Sequence, residues 1–196
     1  MRTTAVRAIL AQPWTSIHAT AASGGAIGVA VSLLAAPNIA GIAGAGLAIV
    51  MAAIAAIDAR YFVIPDELNI AALALALLDA GLQEPGMAVI LQTLLRAATL
   101  ALLFLGLRQA YWLLRRREGL GLGDVKLAGV AGAWLGWQTM PVVVEIAALS
   151  ALCGYTLHHY VYRRYFQATH FLPFGLFLAP AIWLGWLLET LGLVPS

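Results

Sequence analysis

The sequence predicts an all-α bundle of membrane-spanning helices, six to eight in number with seven the best count, and a cytosolic N-terminus. Three observations lead there. Of 196 residues, 62% are hydrophobic and only 10% charged, whereas a water-facing domain carries roughly a quarter charged residues. Long apolar stretches alternate with short breakers rich in Pro, Gly and polar residues. Lysine and arginine gather in alternate breakers rather than in all of them. A net charge of +2 gives nucleic acid little to hold, so lipid and an apolar polypeptide are the expected partners.

A helix needs about 20 apolar residues to cross the hydrocarbon core, fewer if its ends snorkel. The candidate segments are 22–36, 39–57, 67–82, 86–107, 124–138, 142–161 and 171–189; the first, third and fifth are short. Residues 1–21, with Arg2 and Arg7, read as a cytosolic or interfacial lead-in, and 22–196 as one transmembrane domain. Basic residues resist translocation in short loops. With the N-terminus in the cytosol, Arg60, Arg108, the Arg115–Arg117 run, Arg163 and Arg164 all fall on the cytosolic side. The outward loops around Pro85 and Pro141 hold no Lys or Arg, and only Arg96 lies within a span. Arg96 should therefore pair with Asp79 or Glu145, or snorkel. Gly24 with Gly28, and Gly132 with Gly136, have the spacing that lets helices approach closely. The single Cys153 excludes a disulfide framework or a Cys-x-x-Cys zinc module and reads as a small packed hydrophobe.

Carboxylates at a membrane edge need a reason, because a charge there loses hydration. The run from Asp58 to Glu67 holds three. Pro65 reads as the first residue of a helix, where its missing N–H is harmless. Asp66 and Glu67 then fall in the first turn, where the helix dipole favours negative charge. Asp58 lacks that support: it ends an apolar helix at the negative end of the dipole, with a surface pair to Arg60 as its structural account. In Gly119-Leu120-Gly121-Leu122-Gly123-Asp124-Val125-Lys126, three alternate glycines permit a close-packed backbone. They bring Asp124 to the start of the fifth segment, where capping that helix is the structural alternative. Both carboxylates sit on the cytosolic edge.

Two carboxyls within a few ångströms do not both ionise readily, so the pair keeps a proton over a wide pH range. One then takes a proton from a bound water while its protonated partner polarises the scissile carbonyl. Such chemistry calls for no cofactor and no metal, and either aspartate can hold the proton.

The run Asp58 through Ile64-Pro65-Asp66 resembles the first catalytic motif of the prepilin peptidases. Gly121-Leu122-Gly123-Asp124-Val125-Lys126-Leu127 resembles their GxGD motif, and Leu172-Pro173-Phe174-Gly175 resembles their late Pro-Phe-Gly element. The resemblance runs from about Ile39 to Gly185. It implies an aspartyl endopeptidase of a prokaryotic inner membrane that removes the basic leader of prepilins or pseudopilins, at the cytosolic face, just before the substrate's apolar helix. It makes Asp58 and Asp124 the catalytic pair. Gly121, Gly123, Lys126, Pro65, Pro173, Phe174 and Gly175 become residues that shape the site. Asp66, Glu67 and Glu118, on the same face, are expected to attract the basic leader. Two departures stand out. The four-cysteine cytosolic part of bifunctional members has no counterpart in Cys153, which points to peptidase activity without N-methylation. Where the common form continues as Pro-Phe-Gly-Pro, Leu176 follows Gly175. A proton-coupled transporter, the main rival, would place its carboxylates nearer the midplane and show an inverted repeat. An assembly scaffold is the second rival. The presenilin-like proteases share GxGD but add Tyr-Asp and Pro-Ala-Leu elements not found here.

Overall fold

The structure, a computed structural model, describes residues 14–116, 119–162 and 173–195, with side chains from 20–116, 119–157 and 173–195. Seven helices make up these residues, with no strand among them: α1 Trp14–Ala35, α2 Ile39–Tyr61, α3 Asp66–Gln83, α4 Met87–Arg115, α5 Leu122–Trp134, α6 Thr139–Tyr162 and α7 Phe174–Thr190. The all-α membrane bundle expected from composition is what forms. Helices α2, α4 and the described part of α6, Thr139–Leu157, are long and apolar enough to cross a membrane, while Thr20–Ala35 of α1 and all of α7 are shorter apolar helices. With 13 residues, α5 is about 20 Å long, less than the ~30 Å hydrocarbon thickness.

Several ends differ from expectation. Helix α1 is described from Trp14 and runs unbroken across positions 21 and 22. Helix α4 continues eight residues past Leu107, to Arg115. Arg108 does not stop it, because its Nε leaves the helix side to meet the Leu120 carbonyl at 3.0 Å. Helix α5 ends at Trp134 because the Leu135 N–H closes the last turn on Ala131; the next N–H, that of Gly136, turns away to the Glu189 carboxylate at 2.7 Å. The α2 start matches expectation for a local reason: the Asn38 side chain accepts the Gly41 N–H, a standard N-cap.

Helices α2, α5 and α7 form the middle of the bundle. α2 packs on α1, α3 and α7, and α5 packs on α3, α4 and α7, while α6 leans chiefly on α7. Leu47, Met51 and Ile54 of α2 meet Leu127 and Ala131 of α5 and Leu178 and Ile182 of α7 in one buried cluster. Cys153 lies on an exposed face of α6. It is not a packed core residue, because α6 offers one side to α7 and leaves the rest outward. In each glycine pair one member makes a close approach: a Cβ on Gly28 would lie 2.8 Å from Ala48 Cβ, and one on Gly132 would run into the Arg96 carbonyl, while Gly24 faces open space. Trp134 ties α5 to α3 by donating its Nε1–H to the Ala72 carbonyl at 3.0 Å within the core. Trp134→Phe removes this bond and puts a smaller ring in a buried site, so it should destabilise the fold by about 2–4 kcal/mol, read as a lower thermal midpoint in detergent.

Candidate active site

Three helix termini converge at one end of the bundle: the last turn of α2, the first turn of α5 and the first turn of α7. Asp58 lies in the last turn of α2 and is only 4% exposed. That burial sets the carboxyl inside the junction rather than on the surface. Its Oδ2 accepts the backbone N–H of Leu176 at 2.9 Å, and the Gly175 N–H also bears on it. Its own carbonyl accepts the N–H of Phe62 at 3.0 Å, and Phe62 closes the helix in the left-handed region, φ 55° and ψ 37°. Helices often stop this way, usually with glycine; a bulky Phe takes the conformation at a cost, and it turns the chain toward Ile64.

Asp124 is not an N-cap. Gly121 is the cap residue, and Asp124 sits three positions on, its Oδ2 accepting the Gly121 N–H at 3.2 Å. The carboxylate is thus folded back over the glycine loop as the reciprocal half of a capping box. Asp58 and Asp124 are near enough for their charges to act on each other, though 66 positions separate them in the chain.

Ile64 joins the three termini. Its side chain is buried, 7% exposed, and it fills the space that glycines leave on both flanks. A Cβ on Gly123 would lie 3.1 Å from Ile64 Cβ, and one on Gly175 would lie 2.7 Å from Ile64 Cδ1 and 2.9 Å from Asp58 Oδ2. The late Pro-Phe-Gly element therefore sits against Asp58. Pro173 is the N-cap residue of α7, and Phe174 packs its ring on Phe104 of α4 with centroids 6.5 Å apart. Pro65 is likewise the N-cap residue of α3, one place earlier than expected, with φ −63° and ψ 136°. The helix begins at Asp66, and Asp66 and Glu67 do occupy its first turn.

Asp66 is engaged. Lys126 Nζ lies 2.6 and 2.7 Å from its two carboxylate oxygens, which ties α3 to α5 across the motif residues. Both side chains are about half exposed, so the pair is worth at most ~1 kcal/mol. Glu67 is exposed, and Glu118 lies outside the described residues. Asp66→Asn should therefore lower cleavage only a few-fold, and Lys126→Met should do the same if the pair acts as one unit.

Sequence reading missed three participants. Ile64 and Leu176 carry no chemical signal of their own and act through packing and a backbone N–H. The third is Glu189, at the opposite end of the bundle. Arg96 is near enough to Glu189 for their charges to interact, and Glu189 is held by the Gly136 N–H. Asp79 instead accepts from Gln83, one turn along α3, at 2.7 Å. Helix α7 brings Glu189 beside the α5–α6 connection, a neighbour that no sequence spacing reveals.

Beside Asp58, an apolar cavity of about 440 Å³ opens between α1, α2 and α7. Gly28, Ala48, Ala52 and Ala59 line it with small side chains, and it runs from Trp183 up to Leu176. Among the described residues, no group of three or more His, Cys, Asp or Glu is placed to hold a metal.

Fold and site define a helical membrane protein with two interacting carboxylates at the junction of three helix termini. Residues 45–156 match the type IV leader peptidase family, and the chain belongs to that family. Asp58 and Asp124 fall inside the match; Pro173–Gly175 lie beyond it. The chain is similar to three proteins named prepilin leader peptidase/N-methyltransferase. That of Dickeya chrysanthemi is 39% identical over 147 residues, covering 73% of this chain and 49% of the relative. That of Burkholderia pseudomallei strain K96243 is 37% identical, covering 79% and 49%. That of Aeromonas hydrophila is 35% identical, covering 81% and 53%. The chain thus spans about half the length of the curated relatives it matches. No solved structure matches it.

Proposed function

We propose that this chain is an aspartyl endopeptidase that removes the leader of prepilin-like substrates at the cytosolic face of a prokaryotic inner membrane, with Asp58 and Asp124 as its catalytic pair. The observation that carries this reading is the pair itself: two acids from distant parts of the chain, brought within reach of one another at a helix junction and each held by backbone N–H groups. Family membership and the names of the similar proteins supply the substrate class. In the reaction one carboxylate takes a proton from water as the water oxygen bonds to the scissile carbonyl carbon. The protonated partner gives its proton to the carbonyl oxygen. Collapse of the tetrahedral species breaks the C–N bond, and the departing amine takes up a proton.

The neighbouring cavity supports the choice of substrate. An apolar helix continuing from the scissile bond into the bilayer would find, starting at Ala59 and Leu176, a surface of Ala and Gly that allows close backbone approach. Ala52→Leu should then raise KM for a prepilin about tenfold through overpacking and leave kcat unchanged. The same change should leave cleavage of a short water-soluble leader peptide alone. Asp66, Glu67 and Glu118 are assigned to the basic leader. If neutral variants of all three process substrate normally across salt concentrations, that assignment falls. The function as a whole is tested by incubating membranes that contain the chain with a prepilin and reading leader removal by gel shift and mass. No cleavage of prepilins or pseudopilins would leave the transporter or scaffold reading in front.

A further inference from the structure

Asp58 and Asp124 are not held alike. The hydrogen bonds to Asp58 come from outside its own helix, from the first turn of α7. Leu176 N–H is 2.9 Å from Oδ2. It is among the N–H groups that a helix start leaves without an internal partner, and it sits at the positive end of the helix dipole. Asp124 receives its N–H from Gly121, within its own cap, at the longer distance of 3.2 Å. Asp124 also gains from the positive end of its own helix, so the difference rests on the length of the two bonds and on the Asp58 donor coming from another helix. The nearest lysine in the motifs, Lys126, is committed to Asp66. Of two neighbouring carboxylates, the one that accepts the shorter N–H bond is favoured in its charged form, and the other then carries the shared proton.

We infer that the backbone N–H of Leu176 is a positioning group that makes Asp58 the proton-accepting carboxylate toward water and leaves Asp124 as the member that donates to the carbonyl. This deepens the proposed peptidase reaction and rests on that reading. The role belongs to this chain's own sequence: a proline, which the resemblance puts at this position, has no N–H to give, whereas Leu176 does. Leu176 is the third residue of α7, and in the first turn a proline removes no intrahelical bond. Leu176→Pro therefore deletes the donor together with the leucine side chain, and Leu176→Ala deletes the side chain and keeps the donor.

With a prepilin in membranes, Leu176→Pro should lower kcat about ten- to a hundredfold relative to Leu176→Ala, the effect of losing one hydrogen bond to a charged group. Both variants give up the leucine side chain that lines the cavity, so a change of KM common to both reads packing, and the difference in kcat between them reads the N–H. Equal kcat in the two folded variants overturns the inference. Chemical labelling of the unmodified protein decides the same point without any variant. A small aryl epoxide is opened by an ionised carboxylate to a hydroxy ester. A diazoacetyl ester takes the proton of a carboxylic acid, loses dinitrogen and is captured as an ester. Peptide mapping should find the epoxide on Asp58 and the diazo product on Asp124; the reverse pattern overturns the assignment. Failure of the unmodified chain to cleave any prepilin would instead count against the function, since the labels read ionisation and not turnover.

Discussion

Asp58→Asn and Asp124→Asn should each reduce leader removal by about 10²- to 10⁴-fold or more, the range that general acid–base groups supply. The amide preserves shape and volume, so loss of cleavage reads chemistry rather than packing. The double variant should be no worse than either single one, because the two residues act as a unit and effects within a unit do not add. Asp66→Asn is the internal control: its carboxylate is half exposed and occupied by Lys126, so only a few-fold loss is expected. The check is a time course of processing in membranes with matched protein levels. If Asp66→Asn is inactive and Asp58→Asn active, the family stands and the first aspartate has been misassigned. Cleavage that survives both Asp58→Asn and Asp124→Asn in folded protein sinks the acid pair altogether.

The aspartates were legible in the sequence because an acid in an apolar setting is conspicuous, and helices with this much Ala, Leu and Ile announce themselves. What surrounds the acids was not legible, for physical reasons that differ by residue. Ile64 looks like any apolar residue, and its importance comes from two glycines, Gly123 and Gly175, that vacate the space on either side of it. Leu176 contributes a main-chain N–H, which every residue but proline possesses, so no side chain marks it. Arg96 was conspicuous but its counterpart was not, because Glu189 approaches through tertiary packing of α7 on α5. Helix ends differ where a polar residue lies within a helix. In α4, Arg108 sends its side chain toward the Leu120 carbonyl and the helix continues. At α5, Gly121 is the cap residue and Asp124, three positions on, accepts its N–H.

Gly175→Ala should be as damaging as any change that leaves both aspartates in place. A methyl group there would stand 2.7 Å from Ile64 Cδ1 and 2.9 Å from Asp58 Oδ2, well inside van der Waals contact. Ile64 is buried, 7% exposed, so its retreat would have to displace packed neighbours. Either α7 moves outward, lengthening the Leu176 N–H bond to Asp58, or the Asp58 side chain rotates away from Asp124. Both outcomes displace Asp58, the proposed base, and a misplacement of about 1 Å at a catalytic group is worth roughly a hundredfold in rate. The overpacking itself should lower stability by about 1–3 kcal/mol. Gly106→Ala is the matched control, because nothing lies within 4 Å of a Cβ there and the position is helical. It should be neutral or more stable by up to about 1 kcal/mol. A second change separates the two routes to damage. Ile64→Val shortens the side chain at the point of contact, so Gly175→Ala combined with Ile64→Val should recover part of the stability. If activity returns with it, crowding against Ile64 was what moved the acid. If stability returns and activity does not, the methyl acts directly on Asp58, and the glycine is required by the carboxylate itself.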